Sequence, residues 1–393
     1  MGVILLIIGI ILFIGLVVVH ELGHFWVARR NGVDAEEFGI FFPPRIWSRK
    51  IKGKNGKKGF EFSINALPLG GFVRLKGEHD SDTGTGTFGA ASLLTKTKIM
   101  LAGVGMNLLA ALVLFTILAW IGIPQLVDNQ FTVKSDTKVS QRQILIDGVL
   151  PNSPAAHIGL QFQDKLVSIG MPNQKPVRFT GMNDFQTTIK RFAGQKVAVS
   201  YVHDGTPHTA TVTLLSKQVV AASQHTAKPK AYLGVAVISY VLQRSTWSAP
   251  VVALGLVKQF TVLTFKGLGA ALKGLGSTIA GFATHNKTAR QSGQTQASDQ
   301  VTGPVGIFVI LKDGSALGYQ FMLMIIAVIS LTLAIMNILP IPALDGGKLF
   351  LTLAARLFRK RLTQSFEEWV YGSSFILLLG LMVLITIVDV KRH

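Results

Sequence analysis

Residues 2–24 of this 393-residue chain read GVILLIIGIILFIGLVVVHELGH, an uncharged apolar run that ends in two histidines and a glutamate. The run at 2–19 is close to the roughly 20 apolar residues that span the core of a bilayer. His20 and His24 are four residues apart, so both imidazoles lie on one face of a helix and can bind one metal ion. Glu21 stands beside them and can take a proton from the water of that ion. The stretch therefore predicts a membrane helix that carries a metal site.

Three more apolar stretches are long enough to cross a membrane, at residues 99–123, 317–339 and 370–388. The whole chain is 49% hydrophobic and only 15% charged, which is unusual for a soluble protein. The first run lacks the basic residues and the small-residue cleavage site of a secretory signal peptide, so a retained helix is the better interpretation. We predict a multi-pass α-helical membrane protein with four transmembrane helices, at 1–28, 98–123, 317–340 and 369–389.

The distribution of positive charge predicts the orientation. The formal net charge is +19, and a dense group of cations follows the first helix: Arg29, Arg30, Arg49, Lys50, Lys57 and Lys58. Cytoplasmic loops carry an excess of Lys and Arg, so the segment 29–97 is predicted to face the cytoplasm, as is the basic link at 341–368. The segment 124–316 and both termini then lie outside. No aromatic-basic motif accompanies the charge, so the predicted partner is a lipid bilayer and not a nucleic acid.

Alternation of apolar and polar residues predicts two β regions. In the cytoplasmic segment, 60–64 and 72–75 alternate with period two around a turn at 68–71, which predicts a membrane-associated β-hairpin. In the outer segment, 124–230 predicts a small α+β domain. Its strands are expected at 144–149, 165–169, 197–202 and 209–215, and its helices at 155–158 and 184–192.

The segment 231–316 is predicted to hold a strand, an amphipathic helix and a polar loop. Residues 250–282 are apolar but are interrupted by Lys258, Lys266 and Lys273, which fall near one helical face. This pattern is typical of a helix that lies in the membrane interface, and a fifth transmembrane helix is the alternative. Residues 284–300 are polar and predict a loop.

A hydrolytic zinc site needs a third protein ligand and an open position for water. The chain contains no cysteine, so the ligand must be His, Asp or Glu. Asp345 is the only acidic residue between Asp313 and Glu367, and it directly follows the third apolar stretch. Pro340 and Pro342 end that helix, so Asp345 is predicted to sit on non-helical backbone that can approach the first helix. The alternative role is an N-cap of the following helix.

Asn337 is an amide in a helix that otherwise consists mainly of Ile, Leu and Met. One role for such a residue is a hydrogen bond to a neighbouring membrane helix. The other is a hydrogen bond to a substrate carbonyl or to the oxyanion that forms during hydrolysis. The sequence leaves both roles open.

These motifs together resemble the bacterial site-2 protease family. The resemblance rests on HELGH at 20–24, on NILPIPALDGG at 337–347, on GGFVR at 70–74 and on an outer domain whose residues 148–156 resemble a PDZ domain. It implies Zn²⁺ on His20, His24 and Asp345, with Glu21 as the catalytic glutamate. The implied substrate-binding residues are Asn337, Gly70, Gly71, Phe72, Val73, Arg74 and Leu75. The loop at Gly303 and Pro304 also matches a short motif of that family.

The resemblance implies an intramembrane zinc metalloprotease of a bacterial cell membrane. Its substrates would be single-span membrane proteins, such as anti-sigma factors or signal-peptide remnants, cut within or near their transmembrane segments. The active site would face the cytoplasmic side and the PDZ-like domain would be extracytoplasmic. That domain would either bind a peptide or carboxyl terminus, or exclude substrates by size.

Two alternatives follow from the same residues. A catalytically silent, PDZ-bearing membrane scaffold would use zinc structurally, but a structural site needs no general base and is normally closed by a fourth ligand, so Glu21 argues against it. A soluble-type zinc protease tethered to the membrane predicts HELGH on an amphipathic helix. The helix at 2–24 is instead apolar all round.

Overall fold

The computed structural model describes residues 2–53, 58–172, 174–226, 228–284, 286–288, 292, 303–360 and 362–392. The chain forms two compact units. The helical unit comprises residues 1–117 and 250–393, and the sheet unit comprises residues 118–249.

The secondary-structure elements are numbered in chain order. The first half contains α1 (Gly2–Arg30), β1 (Ala35–Ile51), β2 (Phe60–Leu75), α2 (Leu93–Ile121), β3 (Ile123–Pro124), β4 (Lys138–Val149), α3 (Pro154–His157), β5 (Lys165–Gly170), β6 (Val177–Arg178) and α4 (Met182–Arg191). The second half contains β7 (Lys196–His203), β8 (Thr206–Thr213), α5 (Lys217–Ser223), β9 (Val235–Arg244), α6 (Ala249–Ala283), α7 (Pro304–Ala316), α8 (Tyr319–Asn337), α9 (Asp345–Leu357) and α10 (Gln364–Arg392).

Five helices within the described residues are long and apolar enough to cross a membrane: α1, α2, α6, α8 and α10. An α-helix satisfies its own backbone hydrogen bonds, which is why apolar sequences of this length cross bilayers as helices. Four of these helices coincide with the predicted transmembrane stretches. The fifth, α6, is the segment that the sequence predicts as an interfacial helix. The polar loop predicted at 284–300 lies largely outside the described residues.

Small residues bring α1 close to two other helices. A Cβ at Gly23 would lie 2.7 Å from the carbonyl oxygen of Ala102, and a Cβ at Gly9 would lie 2.5 Å from the Met322 sulfur. The late part of α1 therefore meets the early part of α2, while the early part of α1 meets the early part of α8. Consequently α2 runs antiparallel to α1, and α8 runs parallel to it. Close approach at small residues is the usual way in which membrane helices associate.

The strands β1 and β2 form a small sheet that differs from the predicted hairpin. Residues 60–64 and 72–75 do not pair with each other; instead Phe38 of β1 pairs with Phe62 on one side and with Val73 on the other. The order across the sheet is 71–75, 35–42, 60–65 and 45–51. The prediction was wrong in its pairing because the apolar residues 38–42 supply a middle strand. Pro43 and Pro44 then separate this middle strand from the edge strand at 45–51.

A buried carboxylate holds this sheet together. Glu37 is only 2% exposed; one of its oxygens accepts a hydrogen bond from Arg45 at 2.9 Å, and the other forms an ion pair with Arg74 at 2.8 Å. Arg45 also contacts Glu61 at 2.8 Å. A buried carboxylate that loses its cationic partners is strongly destabilising, so these pairs fix the register of strands that are distant in sequence.

Within the described residues, the sheet unit contains seven strands in the order β3-β9-β4-β5-β7-β8, with β6 paired to β5. All four strands predicted between 144 and 215 and both short helices are present. Its core joins inward side chains of the sheet, such as Ile144, Ile169 and Val199, to Phe185 and Ile189 of α4. The alternation of apolar residues in the strands and the helical spacing in α4 therefore meet in one hydrophobic core.

Candidate metal centre and substrate cavity

Three predicted ligands from distant parts of the helical unit converge on one point. The Nε2 atoms of His20 and His24 lie 3.2 Å apart, and they lie 3.0 and 3.1 Å from the Oδ2 atom of Asp345. In a tetrahedral zinc site the ligand atoms are roughly 3.3 Å apart, as follows from zinc–ligand distances of about 2.0 to 2.1 Å. Burial alone would raise the pKa of Asp345, but hydrogen bonds with His20 and His24 hold it well below its usual range. The carboxylate is thus in the ionised form that a metal requires.

The backbone after α8 brings Asp345 to this point. The helix ends at Asn337, the next residues are non-helical, and α9 begins at Asp345 with Leu344 as its N-cap. The prediction that Asp345 sits on non-helical backbone was therefore wrong by one residue, because the non-helical segment ends at Leu344 and Asp345 is the first residue of a new helix. It is not the N-cap either, and its carboxylate points to the two histidines.

The chain before Asp345 folds back over the first turn of α9, and this close approach requires glycine at positions 346 and 347. A Cβ on Gly346 would collide with the carbonyl group of Ile338, and one on Gly347 would collide with that of Ile341. Both collisions are with backbone atoms, which cannot move aside as a flexible side chain can. The glycine pair therefore permits the tight turn that places Asp345.

The hydrogen bonds around His24 indicate that a cation belongs between the three ligand atoms. Its Nδ1 atom donates to the carbonyl oxygen of Ile99 at 2.7 Å. In the neutral ring the Nε2 atom then carries a lone pair, which faces the carboxylate oxygen of Asp345 at 3.1 Å. Two acceptors at this distance repel each other unless a proton or a metal ion lies between them. Two imidazole nitrogens and one carboxylate oxygen are a donor set that suits Zn²⁺, so the residues fit this ion.

The sequence reasoning missed two residues of α2 that contact the centre. The side-chain amide of Asn107 lies 3.3 Å from Nδ1 of His20, and Asn107 is only 1% exposed. Its backbone carbonyl oxygen accepts a hydrogen bond from Ser330 of α8 at 2.8 Å. In the orientation given, the Oδ1 atom of Asn107 has no hydrogen-bond partner among the described atoms. When the amide is turned by 180°, this oxygen accepts a hydrogen bond from Nδ1–H of His20. Such an outer hydrogen bond orients a metal-bound histidine.

Gly103 is the second missed residue, one turn before Asn107 on α2. A Cβ at this position would collide with the imidazoles of both His20 and His24. The available signal was an amide four residues after a glycine in an otherwise apolar helix, the same kind of signal that singled out Asn337.

A cavity of about 250 Å³ opens beside the three ligands. Glu21, His20, Asp345 and Asn337 line it together with Gly70 and Gly71. A Cβ at Gly71 would lie 3.6 Å from Cγ of Glu21, so the backbone of β2 passes directly beside this carboxylate. The structure thus brings together the predicted catalytic glutamate, the ligand set, the predicted amide and the start of the predicted substrate strand.

The remaining predicted substrate residues lie outside the cavity wall. Phe72 stacks on Phe42, which does line the cavity, with the ring centroids 6.3 Å apart. Arg74 pairs with Glu37 at 2.8 Å and with Glu36 at 3.4 Å, so its side chain serves the sheet. Val73 pairs with Phe38 and Leu75 with Ala35 through one edge of the backbone, which leaves the other backbone edge as a candidate contact.

Comparison with known proteins assigns the family. The family model described as Peptidase family M50 matches residues 8–381. A Clostridium perfringens protein that carries the name of a zinc metalloprotease is 29% identical over 98% of both chains. A Clostridium acetobutylicum protein with the same kind of name is 30% identical over 98% of this chain and 97% of its own. The protease Eep of Enterococcus faecalis is 25% identical over 98% of both chains. The chain therefore belongs to peptidase family M50, the site-2 protease family of zinc metallopeptidases.

Proposed function

We propose that this zinc metallopeptidase cuts peptide bonds inside the membrane, with Zn²⁺ on His20, His24 and Asp345 and with Glu21 as the general base. The observation that carries the proposal is the convergence of these three ligand atoms beside Glu21, with both histidines and Glu21 on a helix long enough to span a bilayer. The names of the relatives support the chemistry, and the apolar character of α1 supports its location.

The residues of the cavity have distinct roles in the proposed hydrolysis. Zinc, when bound, supplies the Lewis acidity that activates water and polarises a carbonyl group. Glu21 takes a proton from the attacking water as its oxygen bonds to the carbonyl carbon, and delivers that proton to the nitrogen as the C–N bond breaks. The side-chain amide of Asn337 donates to the carbonyl oxygen as negative charge develops there. Asn107 holds His20 in the orientation that directs Nε2 to the metal.

The substrate is proposed to be a transmembrane segment that enters as an extended strand. A helical substrate hides its carbonyl groups in its own hydrogen bonds, so it must unwind before hydrolysis. Residues 71–75 of β2 pair on one side only among the described residues, with 35–40 of β1. An extended peptide can add to such an edge through backbone hydrogen bonds. The edge begins at Gly71 beside Glu21, so a strand bound there passes the catalytic carboxylate.

The order of contacts along α1 supports four membrane crossings. Because α1 and α2 are antiparallel and α8 is parallel to α1, α2 ends and α8 begins on the side where α1 begins. The chain between residues 121 and 319 must then cross an even number of times. The polar residues 284–302 offer no apolar stretch, and α7 has 13 residues, about 20 Å at 1.5 Å per residue, against a core of about 30 Å.

The proposed membrane helices are therefore α1, α2, α8 and α10, and α6 lies in the interface. Lys258, Lys266 and Lys273 are all exposed on α6, as such a position requires. The positive-inside rule then puts the metal centre near the cytoplasmic side and residues 124–316 outside.

The sheet unit is proposed to act as a PDZ-like domain that limits which substrates approach. A groove of about 120 Å³ lies between α4 and the segment before β9, lined by Phe185, Ile189, Tyr232, Leu233 and Gly234 among others. An apolar groove beside a strand suits a short peptide or a carboxyl terminus. Either mode selects substrates whose outer domain has already been removed.

Gly103→Ala should abolish zinc binding, because its new Cβ collides with both imidazoles. Gly105→Ala is the matched control, since a Cβ there meets no atom within 4 Å. We expect about one zinc per chain in the purified wild type and in the control, and little in Gly103→Ala, measured by elemental mass spectrometry. Asn107→Leu should weaken zinc binding by about 10- to 100-fold. Equal zinc affinity in Gly103→Ala and Gly105→Ala would contradict the proposed centre.

Glu21→Gln should keep zinc but lower the cleavage rate by at least about 100-fold, because it removes the general base. The assay co-expresses tagged single-span membrane proteins, each with and without its folded outer domain, and follows the fragments by immunoblotting. Glu36→Gln removes a half-exposed carboxylate of β1 and is the control with unchanged cleavage. Wild-type rates in a zinc-loaded Glu21→Gln would refute the role of Glu21. Equal cleavage of substrates with and without outer domains would refute size selection.

Strand addition predicts a regular pattern of disulfide cross-links. The chain has no cysteine, so Val73→Cys or Leu75→Cys introduces a single thiol. Each variant is combined with substrates that carry one cysteine at successive positions. Glu21→Gln is included in both variants so that the substrate stays uncut. Paired strands place opposite residues about 4.5 to 5.5 Å apart, within disulfide reach. The substrate position that links best should move by two residues between the two variants. A repeat of three to four residues would instead mean that the substrate binds as a helix.

Cysteine labelling in intact cells tests the proposed position of α6. An impermeant maleimide should label Lys273→Cys from outside, as it should Asp204→Cys in the exposed turn between β7 and β8. Arg49→Cys should react only after permeabilisation. If α6 crossed the membrane, residue 273 would lie about 36 Å along the helix from Ala249, past the bilayer. Labelling of Lys273→Cys only in permeabilised cells would therefore overturn the four-helix topology.

A further inference from the structure

A second cavity, of about 650 Å³, lies at the far end of the helix that begins with Asp345. Its walls come from the loop after β2, from the start of α2, from the last turns of α9 and from the segment leading into α10. All of these belong to the helical unit. The volume is in the range of small-molecule sites, about 300 to 1,000 Å³. The proposed protease chemistry makes no use of this cavity.

The cavity is positively charged. Lys96, Arg356 and Lys360 line it, while Asp80 is the only acidic residue among the described lining residues. Lys96 is 5% exposed and pairs with Asp80. Arg356 and Lys360 are exposed, and neither has an acidic partner among the described residues. Two cations therefore remain available for an anion.

Neutral polar groups complete the polar wall. The hydroxyl-bearing and amide-bearing residues that line the cavity are Ser81, Thr83, Thr352, Thr363 and Gln364. Glu367 lies behind this wall, 3% exposed, and its carboxylate accepts hydrogen bonds from the Asp80 backbone and from His79. Its charge is thus engaged with its own neighbours.

An exposed apolar stripe runs along the same helix. Phe350, Leu353 and Leu357 are 59%, 43% and 78% exposed and recur at i, i+3 and i+7, which places them on one face. At 100° per residue, Arg356 lies between this stripe and the inward-facing Thr352, while Lys360 follows the end of the helix, whose C-cap is Phe358. Around the helix the order is therefore the cavity, then Arg356, then the exposed apolar side chains.

We propose that this cavity binds the phosphate headgroup of an anionic phospholipid. Arg356 and Lys360 contact the phosphate, and the acyl chains lie along Leu353 and Leu357. Basic pockets at the cytoplasmic ends of membrane helices have the charge that such headgroups require. A soluble phosphate would satisfy the cations but leave the apolar stripe unused, which favours a lipid as the occupant.

The position of the site gives the lipid a structural effect. The helix α9 carries Asp345 at its first residue and Arg356 in its last turn. A lipid bound at Arg356 holds the far end of the helix whose near end supplies a ligand atom to the metal centre. The lipid site itself requires only that the chain lies in a membrane. A test of lipid binding is therefore independent of a test of the proposed cleavage reaction.

Native mass spectrometry of the purified full-length protein tests the proposal directly. We titrate phosphatidylglycerol and phosphatidylcholine with identical acyl chains and compare the lipid adducts. The wild type should retain phosphatidylglycerol in preference. Arg356→Gln/Lys360→Gln should lower that affinity by about 25-fold, the product of about fivefold for each cation near the surface. Unchanged affinity of the double variant would overturn the proposal.

The matched control is Arg49→Gln/Lys50→Gln, which removes two exposed cations of β1 that lie outside the cavity. This control should bind phosphatidylglycerol as the wild type does. An equal loss in the control would mean general charge attraction and no site. Both variants alter exposed residues, and unchanged zinc content and thermal unfolding verify that each is folded.

Two further arms separate a lipid from a soluble anion. Leu353→Ser/Leu357→Ser should weaken phosphatidylglycerol binding but leave any weak binding of inorganic phosphate unchanged. Inorganic phosphate at millimolar concentration should not displace the lipid. Displacement by phosphate, or full lipid affinity in the leucine variant, would show a soluble-anion site and overturn the assignment to phospholipid.

Discussion

The metal centre depends on a close approach of electron-rich ligand atoms that a proton or a metal ion must bridge. The proton on Nδ1 of His24 is committed to the carbonyl oxygen of Ile99, so the other nitrogen points a lone pair at the carboxylate of Asp345. In water such a pair would separate. Here the first helix and the start of α9 are held by glycine contacts and by the fold-back of residues 338–344. The helices thus keep electron-rich atoms together in a low-dielectric setting, where a divalent ion is the fitting counterpart.

The same constraint explains why the second helix is part of the centre. Three ligands from two segments can converge only if the helix between them leaves room, and Gly103 supplies that room. Asn107, one turn later, links the centre to two helices at once, through His20 of α1 and through Ser330 of α8. Asn107 therefore fixes both the orientation of the His20 ring and the position of α8 against α2. Precise placement of ligands by such outer contacts is what tunes a metal site.

The parts of the site that the sequence predicts are those encoded by short-range spacing. His20, Glu21 and His24 occupy one helical face whatever the rest of the chain does, and Asp345 is the only acid in its region. Gly103 and Asn107 have no such local marker, because one amide in an apolar helix fits an ordinary helix contact equally well. Their contact with the centre appears only when α1 and α2 are packed together. The helical start at Asp345 was missed for a similar reason, since the turn before it is stabilised by backbone contacts of Gly346 and Gly347.

The small sheet shows where local pattern stops being informative. Period-two alternation identifies which residues form strands, and 60–64 and 72–75 are indeed strands. Alternation does not identify the partner, and the middle strand at 35–42 is paired on both sides across separations of more than twenty residues. Its register depends on Glu37, whose burial requires both Arg45 and Arg74. Because Arg74 pairs with Glu37, the proposed contact of this strand with an extended chain is made by its backbone edge. Backbone recognition is tolerant of side-chain identity, which is consistent with the proposal that selectivity is set by what can reach the cavity.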